Sequence, residues 1–260
     1  MKLDYGTQIS PTPIELSCGT LRKPTLADIA EITFDKYDYY RFLLKMTPKM
    51  FYENNAKVEL KEYWDSLIND EKENMTLMDL IESNEELRSI YLEMFEFFFK
   101  EFVVYSEGLF IFLKRKLENI EELTEEDFRG AISKETLPQI LNIIQQICCI
   151  SDPEEDEKPK FKNDLARKLY EKMRKSDKEN KGKADINFTI PNIISALSSK
   201  HPSLNYTNIW GLTVFQLYDT FSRVQTNSMF DIDSTRVSVW GDEKKTFNFA
   251  LWYKNEYDKK

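Results

Sequence analysis

Apolar positions in the last fifth of the chain fall into two patterns. In GLTVFQLYDTFSRV (Gly211 to Val224), Leu212, Phe215, Tyr218, Phe221 and Val224 recur at helical spacing and predict a helix with a broad apolar face. Two aromatic-rich runs follow, RVSVW (Arg236 to Trp240) and TFNFALWY (Thr246 to Tyr253), separated by GDEKK. Their alternation predicts a hairpin with Val237, Val239, Phe247 and Phe249 as candidates for one face. Trp210, Trp240 and Trp252 all fall in this segment, so its apolar area is suited to docking on something.

At the other end, PIELSCGTLRKP (Pro13 to Pro24) reads as a hairpin in which Ile14, Leu16 and Cys18 alternate toward one face and Gly19 supplies the turn. Thr25 with Asp28 then forms a capping pattern for a helix beginning at TLADIAEI. Helical periodicity continues through Tyr40, Leu43 and Leu44, breaks at TPKM (Thr47 to Met50), and resumes over Leu60 to Leu67 around Trp64. A long helix is predicted over Met75 to Glu101, where Leu80, Ile81, Leu87, Ile90, Tyr91 and Met94 follow the helical template. The stretch from Phe95 to Lys116 has two readings. FVVY against LFIF, with Glu107 and Gly108 at the turn, makes a hairpin; a continuous buried helix is the competitor. Thr124 and Asp127 look like a cap opening a helix at LTEEDFRGAI, and Pro138 suits the first turn of the next, LPQILNIIQQICCI.

Composition changes sharply at Ser151. An acidic run, Glu154 to Glu157, passes into Lys158 to Lys183, which holds 11 Lys or Arg against 4 Asp or Glu. Phe161, Leu165, Leu169, Tyr170 and Met173 keep helical spacing there, so the stretch reads as an amphipathic helix with a solvated charged face. The organisation expected is thus an N-terminal hairpin plus helical domain over 1–150, a charged linker or helix over 151–183, and a C-terminal helix plus aromatic hairpin module over 184–260. The fold class is α+β and predominantly helical, with short β-hairpins at both ends.

Charge and chemistry narrow the function. A net charge of −9 argues against general nucleic-acid binding, because phosphate-binding domains carry a basic excess. No uncharged apolar run reaches the ~18 residues of a membrane span, and three cysteines do not make a disulfide framework, which points to a reducing cytoplasm. Asp231 and Asp233 would share one side of a strand and could hold a hard cation, but no further ligand stands nearby and a solvated turn is the simpler reading. Cys148 and Cys149 cannot both face one metal from a helix. His201, the single histidine, has no adjacent nucleophile or acidic partner, and no Gly-rich phosphate loop is present. The reading is a non-enzyme without catalytic residues, metal or cofactor; an unfamiliar carboxylate site among the 45 acidic residues is the enzymatic alternative.

Two segments carry a family resemblance. IELSCGTLRKPTLADIAEITFDKYDYYRFLL (Ile14 to Leu44), together with LTVFQLYDTF and VSVWGDEKKTFNFALWYKN (within Leu212 to Asn255), resembles proteins of phage and prophage tail modules in low-GC Gram-positive bacteria. Such proteins are described as tail assembly chaperones or as tail proteins of unassigned role. The resemblance implies a protein of the host cytoplasm that binds the tape measure protein and tail-tube subunits, with neither nucleic acid nor membrane as partner. A homo-oligomer is a further expectation. Two surfaces are the candidates for partner binding: Phe215, Tyr218 and Phe221 with Trp240 and Trp252, and the basic helix around Arg167, Lys168, Lys172 and Arg174. The alternative is a permanent tail, neck or baseplate component of the virion, in which the C-terminal hairpin pairs with a neighbour's sheet edge.

Overall fold

The computed structural model describes residues 2–55, 57–117, 124–150, 187–242, 247–255 and 257. The chain divides into two compact units, one of Met1–Ile150 with Gly211–Tyr218 and Tyr253–Lys260, the other of Ser151–Trp210 with Asp219–Trp252. The fold is α+β and predominantly helical.

In the first unit, α1 (Tyr5–Ile9) precedes a two-stranded antiparallel hairpin of β1 (Ile14–Glu15) and β2 (Thr20–Leu21). The hairpin expected between Pro13 and Pro24 is therefore present, but Gly19 is needed for a different reason. A Cβ there would stand 2.8 Å from Glu101 Oε2, and that carboxylate accepts the Thr20 backbone N–H through both oxygens, at 2.9 and 3.0 Å. Next come α2 (Leu26–Ile32), α3 (Phe34–Leu43), α4 (Pro48–Glu53), α5 (Val58–Ser66) and α6 (Asn69–Asn74). The capping box read from Thr25 and Asp28 is formed: Thr25 Oγ1 accepts from Asp28 N, while Asp28 Oδ2 accepts from Thr25 N at 2.7 Å.

The long helix expected over Met75 to Glu101 is instead two, α7 (Leu77–Ser83) and α8 (Glu85–Phe98). Asn84 breaks the run. It sits extended at φ −128°, ψ 103°, and its side chain accepts from Leu87 N at 2.9 Å, so it caps a new helix whose first turn holds Glu85 and Glu86. From Phe95 to Lys116 the hairpin reading holds: α8 ends, and β3 (Phe102–Ser106) pairs antiparallel with β4 (Leu109–Leu113). Glu107 and Gly108 turn the chain with φ of 50° and 75°, the double positive φ a two-residue hairpin turn requires.

Thr124 and Asp127 do form a cap-like knot, with Thr124 N–H and Oγ1–H both donating to Asp127 Oδ2, but it opens a strand rather than the expected helix. That strand, β5 (Phe128–Ile132), completes the order β3-β4-β5. Gly130 explains the choice. The backbone of Ser17 and Cys18 passes so close that a Cβ at residue 130 would lie 2.5 Å from Ser17 O and 2.6 Å from Cys18 Cα. An extended glycine lets the N-terminal hairpin lie directly on the sheet. α9 (Leu137–Ile147) follows, with Pro138 in its first turn as expected.

The core of this unit is aromatic. Phe95 meets Phe110 edge-on at 4.8 Å between ring centroids, and Phe99 lies 4.6 Å from Phe112. All four rings are almost completely buried. Tyr91 is buried among them because its hydroxyl donates to Leu43 O at 2.8 Å.

The second unit contains α10 (Ile190–Lys200), capped by Thr189, with Ile193, Ile194 and Leu197 buried. A 3-10 turn at Ile209–Gly211 leads into α11 (Val214–Trp240), whose first turn belongs to the first unit. The C-terminal hairpin is the main correction. Arg236 to Trp240, read as a strand, is the last part of α11, and Phe247 to Tyr253 forms turns and a short 3-10 helix with no strand among its described residues. Phe230 on α11 and Phe247 lie 5.4 Å apart, while Asp242 accepts from Phe247 N at 2.8 Å, so the returning segment folds against the helix as a loop. β-Branched and aromatic residues favour strands, yet helical Thr235, Val237 and Val239 continue a run already begun, and propensity yields to context.

Candidate partner-binding surface

The expected aromatic surface separates into parts with different surroundings. Phe215 is 3% exposed and packs on Tyr5 at 6.0 Å and Tyr257 at 4.9 Å, within the first unit. The chain before it is stitched to the same unit: Leu26 N–H donates to Leu212 O at 2.9 Å, and Gln216 Nε2 donates to Ile9 O at 2.8 Å. Tyr218 is half-buried, and burial pushes its hydroxyl pKa up, partly opposed by the positive charge of Arg41. Phe221, in the second unit, meets Phe188 edge-on at 6.1 Å. Trp240 is 78% exposed and Trp252 53%. Arg167, Lys168, Lys172 and Arg174 lie outside the described residues.

A feature the sequence reading missed joins Trp240 to its neighbours. On α11, Met229, Ile232, Val239 and Trp240 are exposed to 62, 69, 64 and 78%. At about 100° per residue they occupy a single arc of the helix roughly 100° wide. Gln225 and Arg236 fall within that arc, giving 225, 229, 232, 236 and 239 the alternating four-three spacing of a coiled-coil seam. The opposite side, with Phe230 and Val237, is the more buried one and faces the returning loop. Scattered apolar residues on a surface need no explanation, but four in one stripe on a helix mark an interaction site. Reading Arg236 to Trp240 as a strand hid it, because strand alternation puts Val239 and Trp240 on opposite faces whereas helical geometry brings both within one arc with Met229 and Ile232.

The other candidate chemistry has structural explanations. Asp231 and Asp233 are helical, so their side chains diverge by about 200° and cannot share a cation; Asp233 instead pairs with Arg236 at 3.3 Å. His201 caps α10, its Nδ1 accepting from Ser203 N and Leu204 N at 3.2 and 3.1 Å. Cys148 is buried beside Tyr37, and burial pushes its thiol up to about 12; Cys18 is likewise pushed up to about 11. A groove of about 440 Å³ runs past Tyr52, Tyr63, Met75 and Leu80. Its one carboxylate, Asp79, is committed to the Thr76 backbone N–H and hydroxyl and to Lys134 Nζ, which leaves no free charge to orient a ligand. No group of three or more His, Cys, Asp or Glu side chains among the described residues is placed to hold a metal, and no described helix is long and apolar enough to cross a membrane.

A family model described as the YomV second domain, a phage- and prophage-associated family, matches residues 177–257. The matched stretch contains the whole exposed stripe of α11. No curated protein and no solved structure matches the chain.

Proposed function

We propose that this chain is a non-enzymatic phage tail assembly chaperone, which binds the tape measure protein and tail-tube subunits in the host cytoplasm and acts through the stripe of α11. The observation that carries the reading is the run of Met229, Ile232, Val239 and Trp240, exposed on one helical face inside the segment similar to a phage-associated domain. A client rich in amphipathic helices presents apolar positions at the same four-three spacing, so an exposed seam can cover it by helix-to-helix packing without any reactive group. Methionine suits such a surface, because its flexible thioether adapts to clients of varied shape. The acidic balance of −9 keeps a protein with an open apolar face in solution.

For the alternative of a permanent virion component, a C-terminal hairpin was one route of attachment, by adding a strand to a neighbour. With Arg236 to Trp240 helical, that route is gone. The test is co-expression with the tape measure protein encoded in the same tail module. The chaperone reading expects soluble tape measure protein with the wild-type chain and insoluble protein with Ile232→Glu. Equal tape measure solubility with and without the chain would overturn it.

A further inference from the structure

We infer that the groove of the first unit, walled by α5 and α7, is a docking site for a basic amphipathic helix of a partner protein, separate from the stripe of α11. The groove is apolar yet open. Tyr52, Leu60, Tyr63, Met75 and Leu80 line about 440 Å³, and Tyr63 remains 48% exposed. Tyr52 lies 5.6 Å from Tyr63 and stacks on Trp64 at 5.3 Å, so an aromatic wall stands in place before anything binds. Charge identifies the occupant. From Val58 to Ser83, the stretch that forms α5, α6 and α7, 8 Asp or Glu stand against 2 Lys or Arg. Two-thirds of the chain's net charge of −9 is thus concentrated in a tenth of its length.

The rim carries this charge unspent. On α5, Glu59 and Glu62 stand about 40° and 100° round the helix from Tyr63; on α7, Glu82 stands about 60° from Asp79. Among the described residues the side chains of these three glutamates make no hydrogen bond or ion pair. The two cations do not cancel them: Lys72 lies over the Trp64 ring at 5.6 Å, and Lys61 is on the side of α5 away from Tyr63. A small ligand gains little inside, because Asp79 is committed to Thr76 and Lys134. A helix about 10 Å across, by contrast, sets apolar side chains into the groove and flanking Lys or Arg on the rim. An extended peptide fits less well. The walls are helices that bond their own backbone, so a covered strand finds no edge to pair with, whereas a helix arrives with its backbone satisfied. The open face of Tyr63 also accepts a cation.

Fluorescence anisotropy of the full chain with a labelled synthetic peptide tests it. The probe is a helix of leucine and lysine about four turns long, with leucines at i, i+3, i+4 and i+7; a control has glutamate in place of every lysine. Saturable one-to-one binding of the lysine peptide in the micromolar range is expected, weakened by added salt, with none for the glutamate peptide. Tyr63→Ala should raise the dissociation constant about tenfold, and Glu59→Lys with Glu62→Lys about fivefold, both with unchanged circular dichroism. The charge reversal keeps the test decisive if Tyr63→Ala fails to fold. Glu125→Lys with Glu126→Lys, an equal reversal at the end of β5 remote from Lys134 and Asp79, should bind as wild type does. No binding, equal binding of the glutamate peptide, or equal weakening by the two reversals would overturn the inference. So would displacement by spermidine as effective as by unlabelled peptide, which would mark a simple polycation site, or binding that falls as chain concentration rises, which would put a second copy in the groove. Loss of binding in Ile232→Glu with none in Tyr63→Ala would move the peptide to α11, overturning this site and leaving the proposed function intact.

Discussion

Replacing Gly130 with alanine tests the closest approach in the first unit. The new Cβ would stand 2.5 Å from Ser17 O, 2.6 Å from Cys18 Cα and 2.8 Å from Cys18 O, all backbone atoms with no rotamer by which to escape. Ordinary contact begins near 3.4 Å, so the N-terminal hairpin must retreat by about 0.9 Å. Retreat loosens Cys18, which is 1% exposed, and strains the Arg129 to Glu15 ion pair that joins β5 to β1 at 3.1 Å. Overpacking against a fixed backbone belongs at the upper end of the usual 1–3 kcal/mol, so about 3 kcal/mol is expected, or a fall of about 6–12 °C in melting temperature. Two other glycines calibrate the scale. At Gly19 the obstacle is the flexible end of Glu101, which can swing away at the expense of its bonds to Thr20 N, so Gly19→Ala should cost about 1–2 kcal/mol. Nothing lies within 4 Å of a Cβ at Gly211, and Gly211→Ala should be neutral or slightly stabilising. Urea unfolding followed by circular dichroism would rank the three. A Gly130→Ala protein as stable as Gly211→Ala would refute the packing of hairpin on sheet.

Further expectations follow from single side chains. Asn84→Ala removes the cap that separates α7 from α8 and should cost about 1 kcal/mol in urea unfolding, with Asn84→Asp retaining most of the stability. Trp240→Ala should leave the unfolding free energy measured in urea within about 0.5 kcal/mol of wild type, because the ring is largely exposed, while weakening client solubilisation. The buried thiols give a pH dependence. Unfolded cysteines lose their protons near the ordinary value of 9.0, whereas folded Cys18 and Cys148 hold theirs to about 11 and about 12. Between those values the unfolded chain binds fewer protons, so stability falls as pH rises from 9 toward 11, and Tyr37 and Tyr91, also raised by burial, add to the fall higher up. Denaturation midpoints at pH 8 and pH 10 check the sign, and a higher midpoint at pH 10 would contradict it.

Local signals were legible wherever one residue decided the structure. Thr25 with Asp28, Pro138, and the Glu107–Gly108 turn each specify a cap or a turn through chemistry confined to a few neighbours, and each is found where the sequence placed it. The misreadings have contacts distant in sequence behind them, or one local signal with two uses. Thr124 and Asp127 close the same knot whether a helix or a strand follows, and what selects the strand is the approach of Ser17 and Cys18 to Gly130, more than a hundred residues away in sequence. Asn84 was a visible capping residue, but the apolar period ran through it unbroken. RVSVW has the composition of a strand but lies in the unbroken run of α11 from Val214, where adding a residue to an existing helix costs less than starting a new element. The surface was misjudged on two counts: Phe215, chosen for its place in an apolar stripe, lies in the core, and Met229 and Ile232, passed over, stand exposed on the same helix as Val239 and Trp240.

Quantitative mass spectrometry of induced cells and of particles purified from the same culture tests the central claim most directly. The account predicts abundance in the cells and near absence from the particles, the signature of an assembly factor that departs. A fixed copy number in the particles would contradict it and make the chain a structural part of the virion.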